Sequence, residues 1–111
     1  MYSGKGIFAV PYVVKKSTRV SKKWMVITPD GKKIHFGAAG YEDYTQHGNM
    51  ARKQQYILRH QDKENWFKSG IDTAGFWARW LLWNKDTLEE SARDIEHRFN
   101  VEVILSLPTS Y

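Results

Sequence analysis

Trp24-Met25-Val26-Ile27-Thr28-Pro29-Asp30-Gly31-Lys32-Lys33-Ile34-His35-Phe36-Gly37 is the stretch on which the fold turns. Its first five residues are aromatic, β-branched or long apolar side chains, the set that fits a pleated, half-buried surface. Pro29 pre-sets φ for a tight turn, Asp30 tolerates it, and Gly31 accepts positive φ. Lys32 to Gly37 then alternates polar and apolar, which predicts a returning strand with Ile34 and Phe36 toward a core. Lys33 and His35 face the other way, on a basic side.

Upstream of this hairpin, Ile7-Phe8-Ala9-Val10 and Tyr12-Val13-Val14 read as a strand interrupted by Pro11. Proline lacks the ladder N–H, so an edge strand or a bulge is expected there. Lys15 to Lys23 reads as an exposed basic connection. The chain is therefore divided into a basic strand or arm over 1–23, one domain over 24–107 and a tail over 108–111.

Downstream, residues 38–49 show no period and read as a loop, with Gly37-Ala38-Ala39-Gly40 as the turn leaving the hairpin. Asn49 can cap a helix from Met50 to Gln61 or Asp62, with Met50, Tyr56 and Ile57 inward. Asp72 or Thr73 caps a helix over 74–84 that is apolar on nearly all sides, which places it centrally or at an interface. Thr87 and Glu90 form a capping-box pattern. Leu88, Ala92, Ile95 and Phe99 continue it as a single stripe, and Asn100 stops the helix. Val101 to Leu105 reads as a last strand. This order predicts an α+β fold: a small antiparallel sheet, built from the N-terminal hairpin plus the C-terminal strand, with about three helices packed on one face.

At 111 residues the chain has room for one domain, and without cysteine it has neither disulfides nor thiolate metal sites. No run is long and apolar enough for a transmembrane helix, and the first residues lack the pattern of a signal peptide. The net charge of +5 is unevenly placed. Residues 1–40 hold eight cations against Asp30 alone, whereas residues 71–111 hold four cations and seven anions. A positive field of this kind favours polyanionic partners.

Candidate sites follow from these patterns. Lys15, Lys16, Arg19, Lys22, Lys23, Lys32 and Lys33, with Arg52, Lys53 and Arg59 on the helix, are candidates for binding nucleic acid or another anion. Arg52, Tyr56, Arg59 and Lys63 recur at helical spacing, so they share a face that is either solvated or engaged with phosphate. Asp43, Tyr44, His47, Tyr56 and His60 form a second cluster; of these, Asp43, His47, Tyr56 and His60, together with Arg52, offer a base, an anion clamp and a metal or phenol to a small nuclease-like enzyme. His35, His47, His60 and His97 match no metal-ligand spacing, so no metal site is expected. No catalytic motif and no cofactor fingerprint is present. Phe76, Trp77, Trp80 and Trp83 are read as core or protein-interface aromatics in preference to a base-stacking platform.

Phe36-Gly37-Ala38-x-Gly40-Tyr41-x-Asp43-Tyr44-Thr45-x-His47, Arg52-Lys53-x-x-Tyr56-x-x-Arg59-His60, Trp66 and Thr73-Ala74-Gly75-Phe76-Trp77-x-Arg79-Trp80-Leu81-Leu82-Trp83-Asn84-Lys85-x-Thr87-Leu88 together form a signature. It resembles small proteins of uncharacterised domain type encoded by large DNA viruses of algae and protists, over about residues 24–100. The resemblance implies a virion or host cytoplasm and nucleus as setting, and other viral structural proteins or DNA as partners, with self-association as a further option. The expectation is a non-enzymatic, virion-associated protein, such as a minor capsid or internal component. A sequence-independent nucleic-acid-binding module is the alternative, and a small nuclease-like enzyme the third reading.

Overall fold

A computed structural model describes residues 10–108. Three strands come first: β1 (Tyr12–Lys16), β2 (Lys22–Ile27) and β3 (Lys33–Ala38). The short helix α1 (Tyr44–His47) and the longer α2 (Met50–His60) follow. A 3-10 turn (Lys68–Gly70) leads into α3 (Ala74–Trp77), which continues as a π-helical turn (Ala78–Leu82). Helix α4 (Leu88–Phe99) and strand β4 (Val103–Leu105) close the chain.

The fold is α+β, with the sheet in the order β3-β2-β1-β4. The central hairpin forms as its alternation predicts: Trp24 pairs with Phe36, Met25 with His35 and Val26 with Ile34. Gly31 takes φ 91° in the turn, where an L side chain would be strained. Val14, Val26 and Ile34 make one buried row across three strands. Lys15, Met25 and His35 make the row on the opposite face.

The sheet is mixed, because β4 runs parallel to β1 while the two hairpins are antiparallel. The return to β4 passes through the whole helical layer, and a connection of that length allows a parallel pairing. β1 is therefore an inner strand, not the edge strand that Pro11 suggested: the proline precedes the first paired residue and removes no ladder bond. The expected strand residues Ile7, Phe8 and Ala9 and the tail residues 109–111 lie outside the described residues. Lys15, Lys16, Lys22 and Lys23 belong to strands, so the boundary expected at residue 23 falls within β2. Only residues 17–21 remain as a turn.

The helical layer packs on one face of the sheet. Phe76, Trp77, Leu81 and Leu82 meet Val14, Trp24, Val26 and Phe36 in a single core, joined by Ala92 and Ile95 from α4. The α4 stripe is as expected, with Thr87 accepting from the Glu90 N–H and Asn100 ending the helix at φ 56°. The segment expected as one helix over 74–84 changes pitch after Trp77, where the Trp83 N–H reaches the Ala78 carbonyl. The last strand is secured from α4. Glu96 accepts the Val103 N–H at 2.8 Å, and Arg93 donates to the Val103 carbonyl at 2.8 Å. Side chains thus occupy a stretch of backbone that would otherwise be an open sheet edge.

Candidate functional site

Two neighbouring grooves lie where the ends of β1, β2 and β3 meet α1 and α2. The first, of about 430 Å³, is lined by Lys16, Arg19, Lys22 and Lys23 together with Gly40 and Asp43. Its position follows from the strand ends. Lys22 pairs with Ala38 and Lys16 with Trp24, so both lysines stand at the rim where the buried rows run out. The Ser17 hydroxyl accepts from the Arg19 N–H at 3.0 Å and shapes the turn between them. Ser17 Oγ also lies 2.8 Å from His35 Nδ1.

The wall of this groove is α1, in the stretch expected to be a loop. Asp43 caps α1 by accepting from the Thr45 N–H and hydroxyl, and Gln46 reaches back to the Asp43 N–H. This is a capping box, legible in the sequence as an Asp followed three residues later by Gln. Lys23 Nζ donates to Asp43 Oδ2 at 2.7 Å and to Gln46 Oε1 at 2.7 Å. The one carboxylate lining the first groove is thereby neutralised. Lys16, Arg19 and Lys22 have no ion-pair partner among the described residues.

The second groove, of about 420 Å³, shares Lys22, Lys23 and Asp43 with the first. It runs on past Tyr41, Tyr56, Arg59 and His60 to the apolar wall of α3 and the π turn. Tyr56 is the anchor of α2. Its ring stacks parallel to Trp83 at 4.6 Å, with His60 at 4.4 Å. Burial pushes its phenol pKa well above the ordinary value, helped by the nearby Glu64 charge. Glu64 lies 3.9 Å from His60 Nδ1. A Cβ at Gly75 would displace the Glu64 carboxylate, the far end of a flexible side chain.

The expected cluster of Asp43, Tyr44, His47, Tyr56 and His60 is brought together only in part. Asp43, Tyr56 and His60 line the second groove, whereas Tyr44 and His47 do not. His47 Nδ1 accepts the Asn49 N–H at 2.8 Å, and its ring lies against Trp83 at 5.4 Å. No group of three metal-ligating side chains occurs among the described residues. Asp43 is held by its cap and by Lys23, whereas His60 stacks on the Tyr56 ring with Glu64 beside it.

The cation set expected from charge also divides. Lys53 is turned inward: its ammonium donates to the Asn84 carbonyl at 2.7 Å and sits 4.8 Å from the centre of the Tyr44 ring. Burial, then the Arg79 and Lys85 charges, lower its pKa. Arg52 pairs with Glu42 at 3.3 Å on the surface. Lys32 donates to the Asp72 carbonyl, while Lys15 and Lys33 are exposed and line neither groove. Of the face expected for Arg52, Tyr56, Arg59 and Lys63, the first three lie on α2, with Tyr56 buried and the two arginines exposed, while Lys63 falls beyond the helix end at His60. Met50, expected inward, is exposed.

The aromatic segment is core. Trp77 is fully buried and donates from its indole to the Ile71 carbonyl at 2.7 Å. Trp80 and Trp83 are half-buried, and the guanidinium groups of Arg79 and Arg98 each lie over the Trp80 ring, at 4.3 and 4.4 Å from its centre. A third groove of about 420 Å³ opens beside Trp80, with Trp66, Phe99 and the exposed Phe67. Phe67 and this groove were not anticipated, since a lone Phe in a polar stretch carries no periodic signal. Among the described residues no helix is long and apolar enough to cross a membrane.

Residues 12–60 match a family of unknown function (DUF5754), to which the chain is similar over less than half of its length. That span contains the polar residues named for both grooves except Glu64. No curated protein and no solved structure matches the chain.

Proposed function

We propose that this chain is a binding module for nucleic acid, holding the phosphate backbone without sequence preference. The observation that carries the reading is the convergence of Lys16, Arg19 and Lys22 on one groove whose single carboxylate is already neutralised by Lys23. Unpaired ammonium and guanidinium groups at a groove rim release counterions when they meet phosphates, which supplies sequence-independent affinity. Gly40, which also lines this groove, has φ 87° and open space where a Cβ would stand, so the backbone is accessible there.

The test is a fluorescence-anisotropy titration of labelled DNA across a range of salt concentrations. Three phosphate contacts should give a slope of log K against log salt of about −2 to −3. Joint replacement of Lys16, Arg19 and Lys22 by alanine should abolish that dependence. A flat salt response in the parent chain, or no binding at low salt, would overturn the reading.

A second reading, a structural component of a virus particle, concerns the setting suggested by the viral resemblance. The exposed Phe67 beside Trp66, Trp80 and Phe99 favours it, as an aromatic contact for a neighbouring protein. Mass spectrometry of purified particles tests it, and absence of the chain from them would remove it.

A further inference from the structure

The two grooves that share Lys22 and Lys23 differ in chemistry. The first is cationic. In the second the charges balance in number: Lys22, Lys23 and Arg59 are matched by Glu42, Asp43 and Glu64, and Asp43 is paired with Lys23. Its wall is apolar, built from Phe36, Leu82, Trp83, Ala74 and Ala78, with no side chain at Gly37 or Gly75. Phosphate would gain little there. A flat ring with polar edges would gain both the apolar wall and the polar rim.

Aromatic surface is available in the same place. Tyr56 is covered by Trp83 on one side and stacked with His60, so its own ring offers no free face. Tyr41 does: it lines the groove and is 67% exposed. His60 is about a third exposed in its side chain and ends the Trp83–Tyr56 column.

We propose that the second groove receives an unpaired nucleobase, stacked on Tyr41 or His60, while the phosphates of the same strand lie along Lys16, Arg19 and Lys22. The chain is then a single-strand binder. This rests on the nucleic-acid reading above and narrows its ligand. Bases of a duplex are held in their own stack and reach such a groove only after unpairing, whereas an unpaired base stacks freely on an aromatic side chain.

The experiment compares three competitors against the full chain at one salt concentration: an oligothymidylate of about 16 nucleotides, a duplex of the same length, and inorganic polyphosphate. The single strand should bind about tenfold more tightly than the duplex, the scale of one base–aromatic stack. Tyr41→Ala should remove most of that preference and leave polyphosphate affinity unchanged, which also reports that the fold is intact. Ala74→Phe, at an exposed position on the groove wall, should do the same by filling the groove. Equal binding of all three polyanions, or an unchanged preference in both variants, would overturn the inference while leaving phosphate binding standing. Binding of none of the three would remove the nucleic-acid reading itself.

Discussion

Lys23 Nζ and Asp43 Oδ2 lie 2.7 Å apart, joining β2 to the N-cap of α1 across twenty positions of sequence. The pair is largely shielded, with side-chain exposures of 16% and 4%. Asp43 therefore has two duties: it caps a helix and it neutralises the lysine at the junction of the two grooves.

Asp43→Ala should destabilise the fold by about 2–4 kcal/mol, the cost of a lost cap added to a shielded ammonium left unpaired. Lys23→Met should cost less, because the Asp43 carboxylate it leaves behind keeps the Thr45 N–H and hydroxyl as donors and the helix cap survives. Urea unfolding of the two variants checks the order. A milder effect for Asp43→Ala than for Lys23→Met would contradict it.

Among the cations, the single replacements Lys16→Ala, Arg19→Ala and Lys22→Ala should each weaken DNA binding uniformly across sequences. Each should reduce the salt slope by about 0.7 to 0.9. Lys53→Ala should leave the slope unchanged, since that ammonium is committed to the Asn84 carbonyl. Its cost should show instead as a lower melting temperature. Anisotropy and thermal melts separate the two effects.

Trp77→Phe should destabilise by about 2–4 kcal/mol. The replacement leaves a void in a fully buried site and strips the Ile71 carbonyl of its indole donor. Trp80→Phe should cost less, because Trp80 is only half-buried, although its indole also donates, to the Trp66 carbonyl at 2.9 Å. Chemical denaturation of both variants provides the comparison.

Alkaline pH should unfold the protein in part through Tyr56. Burial raises its pKa above the ordinary value of 10.0, so the folded chain keeps a proton that the unfolded chain releases. The contribution is complete below pH of about 10 and is lost as pH rises toward the folded value. Tyr56→Phe should flatten this alkaline limb without removing it, because burial also raises Tyr12 and Tyr44. Melting temperatures measured on either side of pH 10 give the answer.

Much of the fold was legible from local chemistry. The Pro29-Asp30-Gly31 turn with its flanking alternation specified the hairpin, and Thr87 with the Leu88, Ala92, Ile95 and Phe99 stripe specified α4. The Asp43–Gln46 capping box was equally local, but α1 is a single turn, too short to show a hydrophobic period. The π turn left no local mark, because a run apolar but for Arg79 looks alike at either pitch. The parallel pairing of β4 with β1 joins residues some ninety positions apart, beyond the reach of any local pattern.

For the candidate site the division is sharper. The sequence by itself determined that the positive charge is concentrated in the first forty residues, since composition alone sets that. It also determined the central hairpin that carries Lys32 and Lys33, because φ preference and side-chain alternation act over a few residues, but not that Lys16 and Lys22 belong to strands. Only the tertiary structure decided which cations remain free to meet a ligand. Lys23 and Lys53 are claimed by Asp43 and the Asn84 carbonyl, partners twenty and thirty-one positions away, while Lys16, Arg19 and Lys22 are left at an open rim. Pairing of charges depends on distance in space, and packing of the helices against the sheet sets that distance.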